Sequence, residues 1–258
     1  AWYRKHFTID KADSGKAIRI QFDGVYMNAS VWINGDYILN HPYGYTGFSF
    51  DITNKIKFNA DNIIAVEVKN EGATSRWYSG SGIYRHVWLQ IVSPAHITQD
   101  GVFITTSGVS SSYAKININT TIFNQSKSIS SITLQTRILN DKGIEIAKQN
   151  STHEIKSYDA YDFNEKSVIQ NPQLWSTENA TLYTAITSVY ENDKLIDEQK
   201  TKFGIRSISV DAINGFQLNG KTIKLKGACF HNDNGPLGSK AFDRAEERKV
   251  ELLKASGF

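Results

Sequence analysis

A chain of 258 residues exceeds the usual size of one domain, so two domains, or two and a fragment, are expected. With 40% hydrophobic and 21% charged residues the mixture is that of an ordinary globular protein, which excludes disorder. The net charge of +3, with Lys and Arg scattered among Asp and Glu, excludes a phosphate-tracking surface and with it a nucleic-acid partner. The single cysteine, Cys229, excludes an internal disulfide and a Cys-based metal site. No apolar run is long enough to span a bilayer, so no membrane partner is expected. No signal peptide is visible, and because Ala1 is not a natural initiator the gene product is expected to start earlier.

Short alternating segments dominate the chain. Ile18-Arg19-Ile20-Gln21-Phe22 and Ile64 to Lys69 alternate apolar and polar residues with period two, the pattern of strands with one buried face. Val31-Trp32-Ile33-Asn34-Gly35-Asp36-Tyr37-Ile38 sets Asn-Gly between two β-rich runs and predicts a tight hairpin. Val87 to Val92 reads as the last strand before Ser93-Pro94, where the first boundary is placed. From Val102 onward Ile116, Ile118 and Ile122 alternate with polar residues, and Ile132, Leu134, Thr136 and Ile138 form a further strand closed by Asp141-Lys142-Gly143. Leu182 to Tyr190 is the next strong strand, and Glu191-Asn192-Asp193-Lys194 connects it to the one after. About seven short strands over roughly a hundred residues predict an immunoglobulin-like sandwich.

The last fifty residues change character. Phe216 to Leu225 is a second Asn-Gly hairpin, and Lys226-Gly227-Ala228-Cys229-Phe230 follows as an extended, mostly apolar piece. Asp243 and Glu246 are expected to form a capping box before a helix whose apolar positions are Ala245, Val250, Leu252 and Leu253 and which Gly257 ends. A lone strand and helix cannot cover each other, so this tail is expected to pack against something beyond the sequence given.

Five stretches occur in an order that resembles the sugar-binding domain of glycoside hydrolase family 2: Trp2 to Phe7, Phe22 to Ala29, Val31 to Gly35, His41 to Thr53 and Ser75 to Arg85. Pro172-Gln173-Leu174-Trp175, Leu182-Tyr183 and Phe203-Gly204-Ile205-Arg206 are similar to the end of the family's immunoglobulin-like domain. Phe216 to Gly238 looks like the entry into its (β/α)8 barrel, departing from the family pattern at Asn232 and at Ala228-Cys229-Phe230. The resemblance implies a mainly β chain in three parts: a jelly-roll β-sandwich over 1–93, an immunoglobulin-like β-sandwich over 94–208, and the first strand and helix of a truncated barrel over 209–258.

Retaining glycosidases place two carboxyl groups only about 5 Å apart, one a proton donor and one a nucleophile. The resemblance implies that both are Glu residues on later barrel strands, so no catalytic residue is expected in this chain and the fragment alone is expected to be inactive. Asp23, Asp51, Asp61 and Asp100 read as solvated or turn-forming acids. Arg76, Trp77 and Tyr78 are candidates for substrate contact, since rings cover the C–H face of a sugar and Arg offers a planar fork of donors. The competing reading packs the two rings at the sandwich–barrel interface and pairs Arg76 with a barrel carboxylate. His231, with Asn232 and Asp233 beside it, stands where a barrel strand would project a side chain at a galactose hydroxyl, Asp233 orienting it; the alternative is a loop-stabilising histidine. His6, His41, His86, His96 and His153 read as surface or interface histidines, and no pair has metal-ligand spacing. No metal or other cofactor is expected.

The resemblance points to an exo-acting hydrolase of terminal β-galactosyl residues, with β-glucuronidase or β-mannosidase activity as alternatives, and to a β-galactoside or related glycan as partner beside the missing barrel of the same polypeptide. Family habit adds a periplasmic or secreted location, and a homo-oligomer stays open. A stand-alone carbohydrate-binding module and a structural or adhesive pair of sandwiches are the rivals from other classes.

Overall fold

The computed structural model describes residues 1–72, 79–231 and 233–258. The chain folds as two compact units, one made of 1–91 with 225–258 and the other of 92–224.

The strands of the first unit are β1 (Trp2–Thr8), β2 (Ala17–Phe22), β3 (Val25–Tyr26), β4 (Ala29–Ile33), β5 (Asp36–His41), β6 (Phe48–Asp51), β7 (Asp61–Val68), β8 (Gly82–Ile83) and β9 (Val87–Val92). They pair as a four-stranded sheet β1-β7-β4-β5, a three-stranded sheet β6-β2-β9 and a small ladder β3-β8. The period-two pattern explains the layering: Val31 and Ile33 of β4, Ile64, Val66 and Val68 of β7, and Ile18, Ile20 and Phe22 of β2 all enter one buried cluster with Phe50. Phe22, Phe48 and Phe50 stack in that core, with Phe22 and Phe48 centroids 5.0 Å apart. The Asn-Gly hairpin forms as predicted. Ile33 pairs with Asp36, and Asn34 and Gly35 take φ of 54° and 93°, the left-handed pair a two-residue turn requires.

The second unit contains β10 (Ala95–Ser107), β11 (Tyr113–Asn124), β12 (Ser130–Leu139), β13 (Glu145–Ile155), β14 (Asp159–Gln170), β15 (Tyr183–Glu191) and β16 (Lys194–Phe203). These seven strands divide into antiparallel sheets β10-β11-β14 and β13-β12-β15-β16, the predicted immunoglobulin-like sandwich. Two apolar clusters fill it, one around Ile116, Ile118 and Ile138 and one around Ile122, Ile132 and Leu134. Three short strands follow, β17 (Ile208–Asp211), β18 (Gly215–Leu218) and β19 (Lys221–Thr222), and Asn219-Gly220 makes the turn between the last two.

Lys226 to Phe230 is non-helical chain outside any sheet, between β19 and the helix that follows. Two expectations are corrected. The helix α1 (Asp243–Ala255) begins one residue earlier than a capping box on Asp243 requires: Phe242 holds the cap position without a side-chain bond, and Asp243 is inside the first turn. His96 is a core histidine at 2% exposure, its Nδ1 facing the carbonyls of Ser93 and Pro94 at 2.9 and 3.2 Å. Gly257 follows the helix with φ of 83°, as expected of a C-terminal glycine. Among the described residues no helix is long and apolar enough to cross a membrane.

Candidate functional site

The chain that follows each of the two segments singled out for substrate contact is held together in the first unit, residues 84–86 against residues 240–243. Arg76, Trp77 and Tyr78 lie outside the described residues, as does Asn232. The base of the loop that carries the first three is tied by Asn70, whose Nδ2 donates to Ser81 Oγ at 2.7 Å. Gly80 is needed there, since a Cβ would stand 1.8 Å from Ser239 Oγ. From Tyr84 to His86 the loop grips the segment that follows His231: the amide of Ala241 donates to Tyr84 O at 2.9 Å, Lys240 Nζ to Arg85 O at 3.4 Å, and His86 Nε2 to Asp243 Oδ1 at 2.7 Å.

Tyr84 anchors this end. Its ring is buried against Gly24, where a Cβ would approach within 2.6 Å, and its hydroxyl donates to Gly44 O at 2.9 Å. Burial raises the phenol above its ordinary pKa, Arg85 opposing and Tyr43 adding to the shift.

His231 is exposed, and its carbonyl accepts from the Asp233 amide at 2.7 Å. Asp233 is also exposed and its Oδ1 accepts from the Gly235 amide at 2.8 Å, closing a tight Asx turn. Asn234 then joins loop to helix, its Nδ2 donating to Lys240 O at 3.0 Å and to Glu246 Oε1 at 2.8 Å. That amide holds the Glu246 carboxyl below its usual range against partial burial, with Lys249 and Arg85 adding to the effect. The acids gathered here are therefore engaged in holding the loop. His231 itself is exposed at the start of this braced turn.

The sequence analysis missed Asn234, Lys240 and the partner of His86. Asp243 is 157 positions from His86, and no local pattern announces so distant a pair. Asp23, expected as a solvated or turn-forming acid, accepts from Trp88 Nε1 and Gln21 Nε2, each at 2.8 Å. Asp51 and Asp61 do hold turn and strand-end positions, Asp51 accepting from the Thr53 amide at 2.8 Å and Asp61 paired with His6 Nδ1 at 2.6 Å. Among the described residues no group of three or more His, Cys, Asp or Glu could hold a metal ion.

In the second unit the quoted motifs also converge. The Trp175 amide donates to Ile205 O at 2.8 Å, the Arg206 guanidinium lies 4.7 Å from the Trp175 ring centroid, and the Gln173 amide donates to Tyr183 Oη at 2.9 Å. Gly204 permits this, because a Cβ there would meet Trp175 at 3.0 Å.

Two β-sandwiches in succession, the first with a braced loop and helix held at its end, define the chain as a two-domain β-sandwich protein. Residues 1–93 match the glycosyl hydrolases family 2 sugar binding domain, and residues 95–206 match a second glycosyl hydrolases family 2 model. The chain belongs to glycosyl hydrolase family 2. It is 43% identical over 99% of its length to a beta-galactosidase of Bacteroides ovatus, of which it covers 30%, and 37% identical to a putative beta-glucuronidase of Formosa agariphila, over all of this chain and 24% of that one. A solved glycosyl hydrolase family 2 member from Bacteroides cellulosilyticus superimposes with a TM-score of 0.96 at 47% identity, covering 100% of this chain and 35% of that one. A Bacteroides uniformis beta-glucuronidase superimposes with a TM-score of 0.90 at 30% identity, covering 98% of this chain and 32% of that one. The chain thus spans about a third or less of the length of these relatives.

Proposed function

We propose that this chain is the front portion of a retaining, exo-acting glycoside hydrolase that removes terminal β-galactosyl residues, with both catalytic Glu residues on barrel strands beyond it. The observation that carries the reading is the grip of Tyr84, Arg85 and His86 on Lys240, Ala241 and Asp243, which joins the chain following the first candidate segment to the chain following the second. In this reading the first three meet the sugar from the sandwich, and His231 meets it from the end of the first barrel strand. The apolar side chains of the last segment support it: Leu225, Phe230, Val250 and Leu252 are 69%, 56%, 63% and 52% exposed, an apolar surface that further β/α units would cover. The three-part division at 93 and 208 and a periplasmic or secreted location belong to the same proposal. The likeness to the Bacteroides ovatus beta-galactosidase favours galactose, and that to the Formosa agariphila putative beta-glucuronidase supports a glucuronide as the second reading.

The test is turnover of aryl β-galactoside and aryl β-glucuronide by the full-length protein. Faster cleavage of the galactoside is expected, with the 258-residue chain alone inactive on both. His231→Ala and Trp77→Ala should each lower kcat/KM by about tenfold or more. Faster cleavage of the glucuronide would replace the substrate assignment, and wild-type kinetics in both variants would remove the two residues from the site.

A further inference from the structure

The solvent face of the sheet β1-β7-β4-β5 carries a strip of aromatic rings that the core and the docked helix leave unused. The ladder pairs the outward side chains in two rows across the strands. One row holds Trp2, Glu67 and Ser30, and the next holds Arg4, Ala65, Trp32 and Tyr37. Ala65 is small enough for rings on the strands at either side of it to meet. Trp2 and Trp32 have centroids 5.1 Å apart with planes inclined at 34°, and Trp32 meets Tyr37 at 5.6 Å. Trp2 is 62% and Tyr37 57% exposed, so the strip is open to solvent.

Polar groups edge the strip on the same face. Asn40 Nδ2 donates to Ser30 Oγ at 3.1 Å, and Lys69 pairs with Glu67 at 3.3 Å. Arg4 is exposed, and among the described residues no carboxylate lies within ion-pair distance of it.

We propose that this face binds an acidic glycan chain, its sugar rings lying along Trp2, Trp32 and Tyr37 and a uronate carboxylate meeting Arg4. Indole and phenol faces suit the C–H side of pyranoses, while the amide, hydroxyl and ammonium groups at the edges suit their hydroxyls. The charge pattern selects this occupant. A dry contact with another protein, a second copy included, would bury an unpaired guanidinium among the rings and remove water from Glu67 and Lys69. A wet glycan leaves those charges solvated and gives Arg4 a planar, bidentate counter-ion. The platform stands independently of which glycoside the whole enzyme cleaves.

Affinity electrophoresis of the full chain through gels containing polygalacturonate or neutral galactan tests the proposal, with analytical ultracentrifugation beside it. Polygalacturonate should retard the wild-type chain at low salt. Trp2→Ala and Tyr37→Ala, both at exposed positions, should keep the wild-type melting curve and raise the Kd by about tenfold each. Arg4→Ala should weaken binding to polygalacturonate by a similar factor while leaving galactan migration unchanged. The proposal is overturned if polygalacturonate does not retard the chain, if galactan retards it equally, if the ring variants bind as wild type, or if the face mediates a dimer that Trp2→Ala dissociates.

Discussion

Asn62 shows how much of the first sandwich hangs on single polar side chains. It is fully buried, and all four of its amide sites are used: Oδ1 accepts from the Lys57 amide and Asn34 Nδ2, both at 2.9 Å, while Nδ2 donates to Lys57 O at 2.8 Å and Ala60 O at 3.1 Å. Asn62→Ala removes all four bonds and leaves a void at a fully buried position, while Asn34 Nδ2 keeps Lys55 O, and a loss of about 1–3 kcal/mol is expected in urea denaturation. Tyr84 makes a pH-dependent contribution. Its folded phenol keeps its proton to higher pH than the unfolded one, so the unfolded state binds fewer protons above the ordinary tyrosine range, and stability falls as pH rises through it. Comparison of alkaline denaturation curves should show that component missing from Tyr84→Phe. At neutral pH this variant should be about 1–3 kcal/mol less stable, because the buried Gly44 carbonyl loses its donor.

At the scale of elements, the helix α1 is held by its loop more than by its faces. It has no buried residue, and the Asn234 to Glu246 bond and the His86 to Asp243 pair fix its first turn. The depressed Glu246 carboxyl contributes stability that is present above its unfolded pKa and lost as pH falls through its lower folded value. Asn234→Ala should return that carboxyl toward the ordinary glutamate range in an NMR titration and flatten the acid-side loss. His86→Ala should raise amide hydrogen exchange in residues 241–246 while β2 and β4 stay protected. The strand β13 teaches a different point. Its side chains from Glu145 to Glu154 are almost all polar or exposed, so no period-two pattern marks it, and only pairing with β12 along the sheet edge makes it a strand.

Across the whole molecule, two units with separate cores imply local consequences for core mutations. Leu134 is fully buried in the second unit, and Leu134→Ala is expected to cost about 2–5 kcal/mol. Hydrogen exchange should place the loss in β11, β12 and β15, with the protection of β4 and β7 retained. Uniform loss over both units would mean that they unfold as one.

The sequence by itself determined the β character, the Asn-Gly turns at 34–35 and 219–220, the inward residues of β2, β7 and β11, and the order of motifs that marks the family. The first three rest on interactions within a few residues or on the two-residue period of a pleated strand, and the last on the order of residues itself, all of which a linear text records. Only the tertiary structure decided that His86 meets Asp243, that Asn234 braces Glu246, that Asp23 receives the indole of Trp88, and that Trp2, Trp32 and Tyr37 form one strip. Each of these brings together side chains from separate elements, and their meeting depends on strand order, register and the path of a docked loop, none of which leaves a local trace.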